Sequence, residues 1–375
     1  MEEFQPPAPI ETYQYADALR RDVADLFMVY DTTLGYPMKG HLRFRGRFLQ
    51  DPAECFNELR RRFERYGYTP TVSREGEQVA IIALPIVFEH PKSRWAVNLI
   101  LFIATIFSTL FVGALYGAET TSQAYQIWRG WPFAASILLI LGAHELGHYF
   151  AARHHNVPVT LPYFIPMPLS IFGTFGAFIR LQGPVSNRRA LFDVGAAGPL
   201  TGLIFALPIL FIGLATSSVG HLSPGGLLEG NSILYLLAKF IVFGKYLPSG
   251  GMDVQLNQVA WAGWVGLFVT GLNLIPVGQL DGGHVAYSLF GTRARMFFWP
   301  SIIGLGLIVL YTYLQGAFAP TWLLWILLLF AFGRVHARPL EDITELDPRR
   351  RALAIFTLVL FFLTFVPFPL ASIAG

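Results

Sequence analysis

Three ionisable residues lie close together in a stretch that is otherwise apolar. Residues 141–150 read LGAHELGHYF and follow the apolar run WPFAASILLI, so His144, Glu145 and His148 stand in a segment suited to lipid. On an α-helix, positions four apart share a face, so both imidazoles could bind one Zn²⁺ ion. Glu145 could then reach a water molecule beside the metal and act as a general base. The pattern predicts a hydrolytic zinc site.

Such a site needs a third protein ligand besides the two histidines. Asp281, in NLIPVGQLDGGH, lies in an apolar stretch, where an ionisable residue is a functional candidate. Pro276 is expected to break the helix there and to leave backbone groups that only a cavity lined by protein or water can satisfy. We therefore predict that His144, His148 and Asp281 bind one zinc ion per chain.

The composition is that of a membrane protein with a soluble N-terminal part. Of the 375 residues, 54% are hydrophobic and 14% are charged, against roughly 25% charged in soluble domains. The first 94 residues hold 27 of the 51 charged side chains. The net charge of +3 is too small to indicate nucleic acid as a partner. The single cysteine, Cys55, excludes an intrachain disulfide and is compatible with a reducing compartment.

Residues 1–94 are expected to form a small soluble α+β domain. HLRFRGRFL (41–49) alternates at period two, and DPAECFNELRRRFERYGY (51–68) begins with an aspartate cap and continues at helical spacing. EQVAIIALPIVF (77–88) is a second apolar run. Because no metal or nucleophile pattern occurs here, we predict a regulatory or substrate-gating role.

The rest of the chain is expected to be an α-helical polytopic membrane domain. Seven segments are long enough for the ~30 Å hydrocarbon core of a bilayer: 96–117, 131–152, 190–216, 258–276, 297–315, 320–335 and 352–371. The segment 233–244 is too short to span alone and is expected to be interfacial or re-entrant.

The distribution of lysine and arginine predicts the orientation. If the flank HPKSRW (90–95) is cytoplasmic and 233–244 does not cross, the later inside loops contain eleven cationic residues. The outside loops contain three, namely Arg129, Lys239 and Lys245. Lysine and arginine are enriched in cytoplasmic loops. We therefore expect a cytoplasmic N-terminus, a zinc site toward the cytoplasmic side and a C-terminus on the opposite side.

HELGH, followed more than a hundred residues later by Asn273-x-x-Pro276-x-x-x-Leu280-Asp281-Gly282, resembles the two motifs of the site-2 protease family of intramembrane zinc metalloproteases. The resemblance covers roughly residues 96–290. It implies that the two motif histidines and Asp281 bind Zn²⁺ and that Glu145 activates water. It also implies transmembrane protein substrates and a lipid bilayer as the surroundings of the enzyme.

The layout refines this resemblance. No PDZ-like insert occurs between 203 and 256, and the extra N-terminal domain and C-terminal helices resemble the plastid and cyanobacterial members of the family. We therefore expect a cytoplasmic domain at 1–94, a protease core at 95–290 and additional transmembrane helices at 291–375. In a plastid, the cytoplasmic side would be the stroma.

Two glycines mark a candidate substrate-binding segment. GTFGAF (173–178) is similar to the glycine-containing, membrane-associated β-hairpin of the family, which makes Gly173 and Gly176 candidates. The surrounding segment 170–181 is rich in β-branched and aromatic residues, so its edge could pair with an unwound substrate. The alternative is an ordered loop that covers the site.

Two further polar residues have two interpretations each. The resemblance implies that Asn273 hydrogen-bonds the substrate backbone, although Asn273 could also cap the broken helix. His284 follows Asp281 by one helical turn. It could support the metal site or protonate the leaving amine, or it could be an ordinary histidine at a helix end.

The function that these residues favour is intramembrane zinc endopeptidase, acting in regulated intramembrane proteolysis. A second possibility is a prenyl-protein protease. Resemblance to that class would imply a downstream glutamate as the third metal ligand, and no glutamate lies between Glu229 and Glu341. A third possibility is an inactive or non-proteolytic relative that acts as a membrane-protein chaperone or metal transporter. The intact Glu145 disfavours the inactive form, since zinc binding alone needs no base there.

Overall fold

The computed structural model describes residues 9–88, 94–116, 118, 120–222, 227–315, 320–334, 336 and 338–372. Residues 90–93 of the topology flank and Gly117 of the first predicted span lie outside these ranges. The described part is mostly helical and has a small β-sheet near its N-terminus, in agreement with the predicted combination of a helical membrane protein and an α+β unit.

The N-terminal unit is an antiparallel four-stranded sheet with two helices. Its elements are α1 (Pro9–Asp22), β1 (Phe27–Leu34), β2 (Leu42–Phe48), α2 (Pro52–Glu64), β3 (Thr69–Glu75) and β4 (Gln78–Leu84). The strands lie in the order β1-β2-β4-β3. As expected from the sequence, Asp51 caps α2, and its carboxylate accepts a hydrogen bond from the Ala53 N–H at 2.9 Å. Phe44 of β2 and Phe63 of α2 pack edge to face in the core of this unit.

The remaining helices follow in chain order. They are α3 (Trp95–Tyr116), α4 (Thr121–Ala124), α5 (Trp131–His154), α6 (Arg188–Ala215), α7 (Ile233–Phe243), α8 (Gln258–Asn273), α9 (Asp281–Phe290), α10 (Phe298–Leu314), α11 (Pro320–Phe332) and α12 (Pro348–Thr364). Short strands connect them, namely β5 (Tyr163–Pro166), β6 (Thr174–Phe178), β7 (Ser218–His221), β8 (Leu227–Glu229), β9 (Met252–Gln255) and β10 (Leu370–Ser372).

Four helical segments are long and apolar enough to cross a bilayer: Trp95–Tyr116, Ile127–His154, Arg188–Ala215 and Asp281–Leu314. They identify the chain as an integral membrane protein. Helices also occur at the other predicted positions, but α8, α11 and α12 have only 16, 13 and 17 residues. Seven spans therefore remain a prediction. Helix α7 has 11 residues, about 16 Å, and is too short to span, as expected.

Glycines bring α6 and α8 into backbone contact. A Cβ atom at Gly213 would lie 2.2 Å from the Ala260 nitrogen, and one at Gly263 would lie 2.6 Å from the Leu210 Cα atom. Small residues at helix interfaces allow this close approach in membranes, where dispersion rather than the hydrophobic effect holds helices together. The two antiparallel helices form a rigid frame for the residues near the start of α6 and the end of α8.

Lys239 is not the loop cation that the charge count assumed. It is fully buried on α7, and its ammonium group lies 2.9 Å from Glu229 and 3.0 Å from Asp253. The Tyr235 hydroxyl donates a further hydrogen bond to Glu229 at 2.8 Å. A buried charge persists only when it is paired, and here the two carboxylates pair with the ammonium group while the hydroxyl supports Glu229.

Candidate metal centre

His144, Glu145 and His148 are buried on α5. The helix continues without interruption from Trp131 to His154, so residues 144 and 148 are one turn apart. Both imidazoles therefore lie on the side of α5 that faces α6 and the end of α8, as the spacing predicts.

Asp281 reaches the two histidines because the chain breaks at Pro276. Helix α8 ends at Asn273, not at the predicted residue 276, and Asp281 is the first residue of α9 rather than part of the helix before the break. A turn over 274–280 connects the helices, and it contains Gly278 at φ +61°. Such a turn is favoured by glycine, which has no Cβ atom to clash. The turn brings the start of α9 back toward α5.

The three predicted ligand atoms form a nearly equilateral triangle. Nε2 of His144 lies 3.1 Å from Nε2 of His148, and each of these atoms lies 3.3 Å from Oδ2 of Asp281. The three residues are also the one group among the described residues whose histidine, cysteine and carboxylate ligand atoms converge closely enough for a metal ion.

This triangle fits zinc. Tetrahedral coordination with bonds of about 2.0–2.1 Å requires ligand atoms about 3.4 Å apart. Nδ1 of His148 lies 2.6 Å from the carbonyl oxygen of Val194 and donates its hydrogen to it, so Nε2 presents a lone pair. That lone pair faces the Asp281 carboxylate across 3.3 Å. Two acceptors at this distance repel each other unless a cation lies between them, and the donor set suits a divalent metal.

Glu145 borders a cavity of about 250 Å³ that also contains all three predicted ligands. Its Oε1 atom lies 4.0 Å from Nε2 of His144. One wall of the cavity consists of residues 177–179, at the end of β6, and the other consists of 279–281. A carboxylate at this position can accept a proton from a water molecule held beside the metal.

Comparison with known proteins assigns this constellation to a family. The family described as "Peptidase family M50" matches residues 132–310, a range that contains all three predicted ligands and Glu145. Residues 132–310, just under half of the chain, are an M50 family domain. This is the site-2 protease family, so the assignment made from the two motifs is confirmed.

Curated relatives of the chain include plant proteins. It is 29% identical to "Probable zinc metalloprotease EGY2, chloroplastic" of Arabidopsis thaliana over 95% of its own length and 65% of that protein's length. It is 33% identical to "Probable zinc metalloprotease EGY1, chloroplastic" of the same plant over 63% of its own length and 42% of the relative's. The predicted enzyme class and the predicted cofactor, Zn²⁺, agree with these names. No solved structure matches the chain.

Three glycines on α6 of the M50 core are needed at the metal centre, and sequence reasoning missed their role. A Cβ atom at Gly198 would lie 2.0 Å from Nε2 of His148, and one at Gly202 would lie 3.2 Å from Nδ1 of His144. At Gly195 a Cβ atom would lie 2.7 Å from that of His284. Their spacing of three and four residues is the helical periodicity that could have revealed a shared face.

Asn273 and His284 both line the cavity. Nδ2 of Asn273, at the end of α8, lies 3.4 Å from Nε2 of His144. His284 lines the same cavity one turn after Asp281, and its buried Nδ1 atom has no hydrogen-bond partner among the described residues. Asn273 could therefore contact a substrate or the metal site, and the roles of both residues stay predictions.

Gly173 and Gly176 lie at the predicted hairpin. Neither of them is among the described residues that line the cavity. Strands β5 and β6 form an antiparallel pair, and Gly176 belongs to β6 with φ +97°. Gly173, with φ +70°, precedes β6 and packs on α3, where a Cβ atom would lie 2.9 Å from the Thr109 Cα atom. These glycines shape the hairpin, and residues 177–179 face the cavity.

Proposed function

We propose that this chain is an intramembrane zinc endopeptidase that hydrolyses peptide bonds within or near the transmembrane segments of membrane-anchored proteins. The observation that carries this proposal is the buried triangle of His144, His148 and Asp281 with Glu145 beside it. The chain spans 65% of the length of the Arabidopsis EGY2 protein, so its activity and substrates are proposed here for this chain itself.

His144, His148 and Asp281 would hold the zinc ion, which when bound supplies Lewis-acid polarisation of the scissile carbonyl and an activated water molecule. Glu145 is the general base of the proposal. Its carboxylate accepts a proton from the attacking water and delivers it to the peptide nitrogen as the carbon–nitrogen bond breaks. The products are a carboxylic acid and an amine, so the glutamate ends the cycle in its starting form.

A substrate must reach the cavity as an extended chain. In an intact helix the peptide groups are held in intrahelical hydrogen bonds, so the segment has to unwind before a carbonyl can approach the buried ligands. Unwinding leaves backbone groups that must find partners within the membrane. Residues 177–179, at the end of β6, form one wall of the cavity. If the unwound substrate pairs with the edge of this strand, the strand backbone supplies the missing hydrogen-bond partners.

The chain direction of successive helices supports the seven predicted spans. Helix α5 ends at the metal centre, α6 leads away from it, and α8 returns to it, where α9 begins. We propose that the metal centre lies toward the side of the N-terminal unit and that the C-terminus lies on the other side. The two relatives are named chloroplastic, and in a plastid that side would be the stroma.

The test uses purified enzyme in vesicles with single-span reporter proteins. We expect wild type to cleave a reporter whose span contains glycine or proline faster than one with a leucine-only span, because these residues lower helix stability by about 1–3 kcal/mol. Glu145→Gln should keep zinc and lose cleavage, since glutamine cannot accept the proton. Cleavage by Glu145→Gln at the wild-type rate would refute the assigned base. A wild-type protein that binds zinc and cleaves none of the reporters would favour the non-proteolytic chaperone or transporter.

A further inference from the structure

The segment between α11 and α12 joins the N-terminal unit to the membrane core. We call residues 338–347 the connector. Leu340 packs in the hydrophobic core of the N-terminal unit, together with Val72 and Cys55. Glu341 is completely buried. The connector lies outside the region matched by the M50 family, and so does the N-terminal unit.

Backbone hydrogen bonds join the connector to β3 through a parallel bridge between Val72 and Glu341. The Val72 N–H of β3 donates to the Leu340 oxygen at 2.6 Å, and the Asp342 N–H donates to the Val72 oxygen at 3.0 Å. On the other side, the N–H groups of Leu340 and Glu341 donate to the oxygens of Val185 and Ser186 at 2.9 and 2.8 Å. The connector therefore links the edge strand β3 to the segment that leads into α6.

The side chain of Asp342 connects the connector to the two helices next to the metal centre, α6 and α9. Its Oδ1 atom accepts a hydrogen bond from Nε of Arg188, at the start of α6, at 2.7 Å. Its Oδ2 atom accepts one from the hydroxyl of Tyr287, on α9, at 2.8 Å. The Arg188 and Asp342 side chains are only 18% and 12% exposed, so water screens their ion pair weakly. One carboxylate thus holds together α6, which supports His148, and α9, which begins with Asp281.

Helix α9 is short enough to transmit a displacement. Tyr287 is six residues after Asp281, about 9 Å along the helix axis. The turn before Asp281 contains Gly278 in the left-handed region, and no side chain caps the start of α9. A shift of Tyr287 would therefore tilt α9 and move the Asp281 carboxylate relative to the two imidazoles.

We propose that Asp342 is a positioning residue through which docking of the N-terminal unit keeps Asp281 in place for zinc. The N-terminal unit would then regulate the metal centre: a ligand or partner that displaces the connector from β3 would weaken zinc binding. The proposal rests on the zinc site of the proposed function. It does not depend on cleavage, since zinc affinity is measurable without any substrate.

The first experiment compares zinc affinities of the full chain by competition with a chelator. Asp342→Asn and Tyr287→Phe should each weaken zinc binding about 10- to 100-fold, the range seen when groups that support metal ligands are lost. In a double variant, Tyr287→Phe is added to Asp342→Ala, which removes both acceptor oxygens; it should bind zinc no more weakly than Asp342→Ala alone, because the Tyr287 hydroxyl has then already lost its acceptor. Glu345→Gln is the matched control: it removes an exposed connector carboxylate and should leave the affinity unchanged.

Unchanged affinity in Asp342→Asn or Tyr287→Phe would overturn the proposal, and so would effects that add up in the double variant. If Asp342→Asn does not fold, Tyr287→Phe carries the test alone, because it removes only one hydroxyl group. If Asp342 and Tyr287 only stabilised the fold, the substitutions would lower the unfolding temperature, and the zinc affinity of the folded protein would stay at the wild-type value.

The second experiment loosens docking at a distance from the site. Leu340→Ala trims a buried side chain from the N-terminal core, and faster alkylation of Cys55 in the same core would report the loosening. We expect the zinc affinity to fall as in Asp342→Asn, although no residue of the site has changed. Faster alkylation with wild-type zinc affinity would show that loosening the N-terminal unit leaves the metal centre unchanged. That result would overturn the regulatory proposal.

Discussion

The Nδ1 atom of His148 lies 2.6 Å from the carbonyl oxygen of Val194, a backbone group one helical turn before Gly198 on α6. This hydrogen bond fixes the ring orientation and leaves the Nε2 lone pair directed at the metal centre. A backbone carbonyl is the partner, so the support does not depend on the side chain at position 194. The orientation of this ligand is therefore a property of how closely α5 and α6 pack.

We expect His148→Ala and Asp281→Ala each to lose most of the one zinc ion expected per chain. Three protein ligands make the site, and removing one leaves a weak two-ligand site. Metal analysis of the purified variants measures this directly. His221→Ala, on β7 and away from the metal centre, is the control that should keep its zinc. Full zinc occupancy in either ligand variant would contradict the assignment.

The packing of α6 against the ligands makes a second prediction. Gly198→Ala places a methyl group 2.0 Å from Nε2 of His148 in the present geometry, so the imidazole must move out of the ligand triangle. We expect loss of zinc and of cleavage. Gly142→Ala, two residues before His144, is the matched control because its Cβ atom meets no atom within 4 Å. Normal zinc binding by Gly198→Ala would mean that α6 yields to the methyl group.

The sequence predicted what depends on local spacing and missed what depends on contacts between distant elements. His144 and His148 share a helix face at any helical geometry, and Asp51 caps α2 because an aspartate cap needs only its own turn. The clash that forbids a side chain at Gly198 exists only because α6 crosses α5. Lys239, counted as a loop cation, is buried because Glu229 and Asp253 converge on it from β8 and β9.

The buried cluster around Lys239 predicts a large effect on stability. Replacing Lys239 by methionine leaves Glu229 and Asp253 buried without their shared cation, and breaking a buried pair in this way typically costs about 3–5 kcal/mol. We expect Lys239→Met to lower the unfolding free energy by about that amount. Lys245→Met removes an exposed cation nearby and should change it by less than about 0.5 kcal/mol. Equal denaturation curves for both variants would show that the cluster contributes little.

Cys55 should be unreactive until the N-terminal unit opens. Burial raises the pKa of its thiol to about 11, against about 8.5 for a free cysteine, so very little thiolate is present at pH 8. Because the thiolate is the nucleophile, alkylation of the native chain should be at least about a hundredfold slower than alkylation of the denatured chain. The rate should rise as the pH increases toward 11. Rapid alkylation at pH 8 in the folded state would contradict the burial of this thiol.

The hairpin leads to the last prediction, which separates strand pairing from side-chain contact. Phe175 lies in β6, two residues before the cavity wall, and the residue is 66% exposed. Phe175→Pro removes both the ring and the backbone N–H, whereas Phe175→Ala removes only the ring. If β6 pairs with an unwound substrate, the proline variant should cleave reporters more slowly than the alanine variant, with equal zinc content, because the predicted ligands lie on α5 and α9. The measurement is the initial rate in vesicles together with metal analysis. Equal rates for the two variants would mean that the backbone at this position takes no part in substrate binding, and loss of zinc in the proline variant alone would instead assign the hairpin a role in supporting the metal centre.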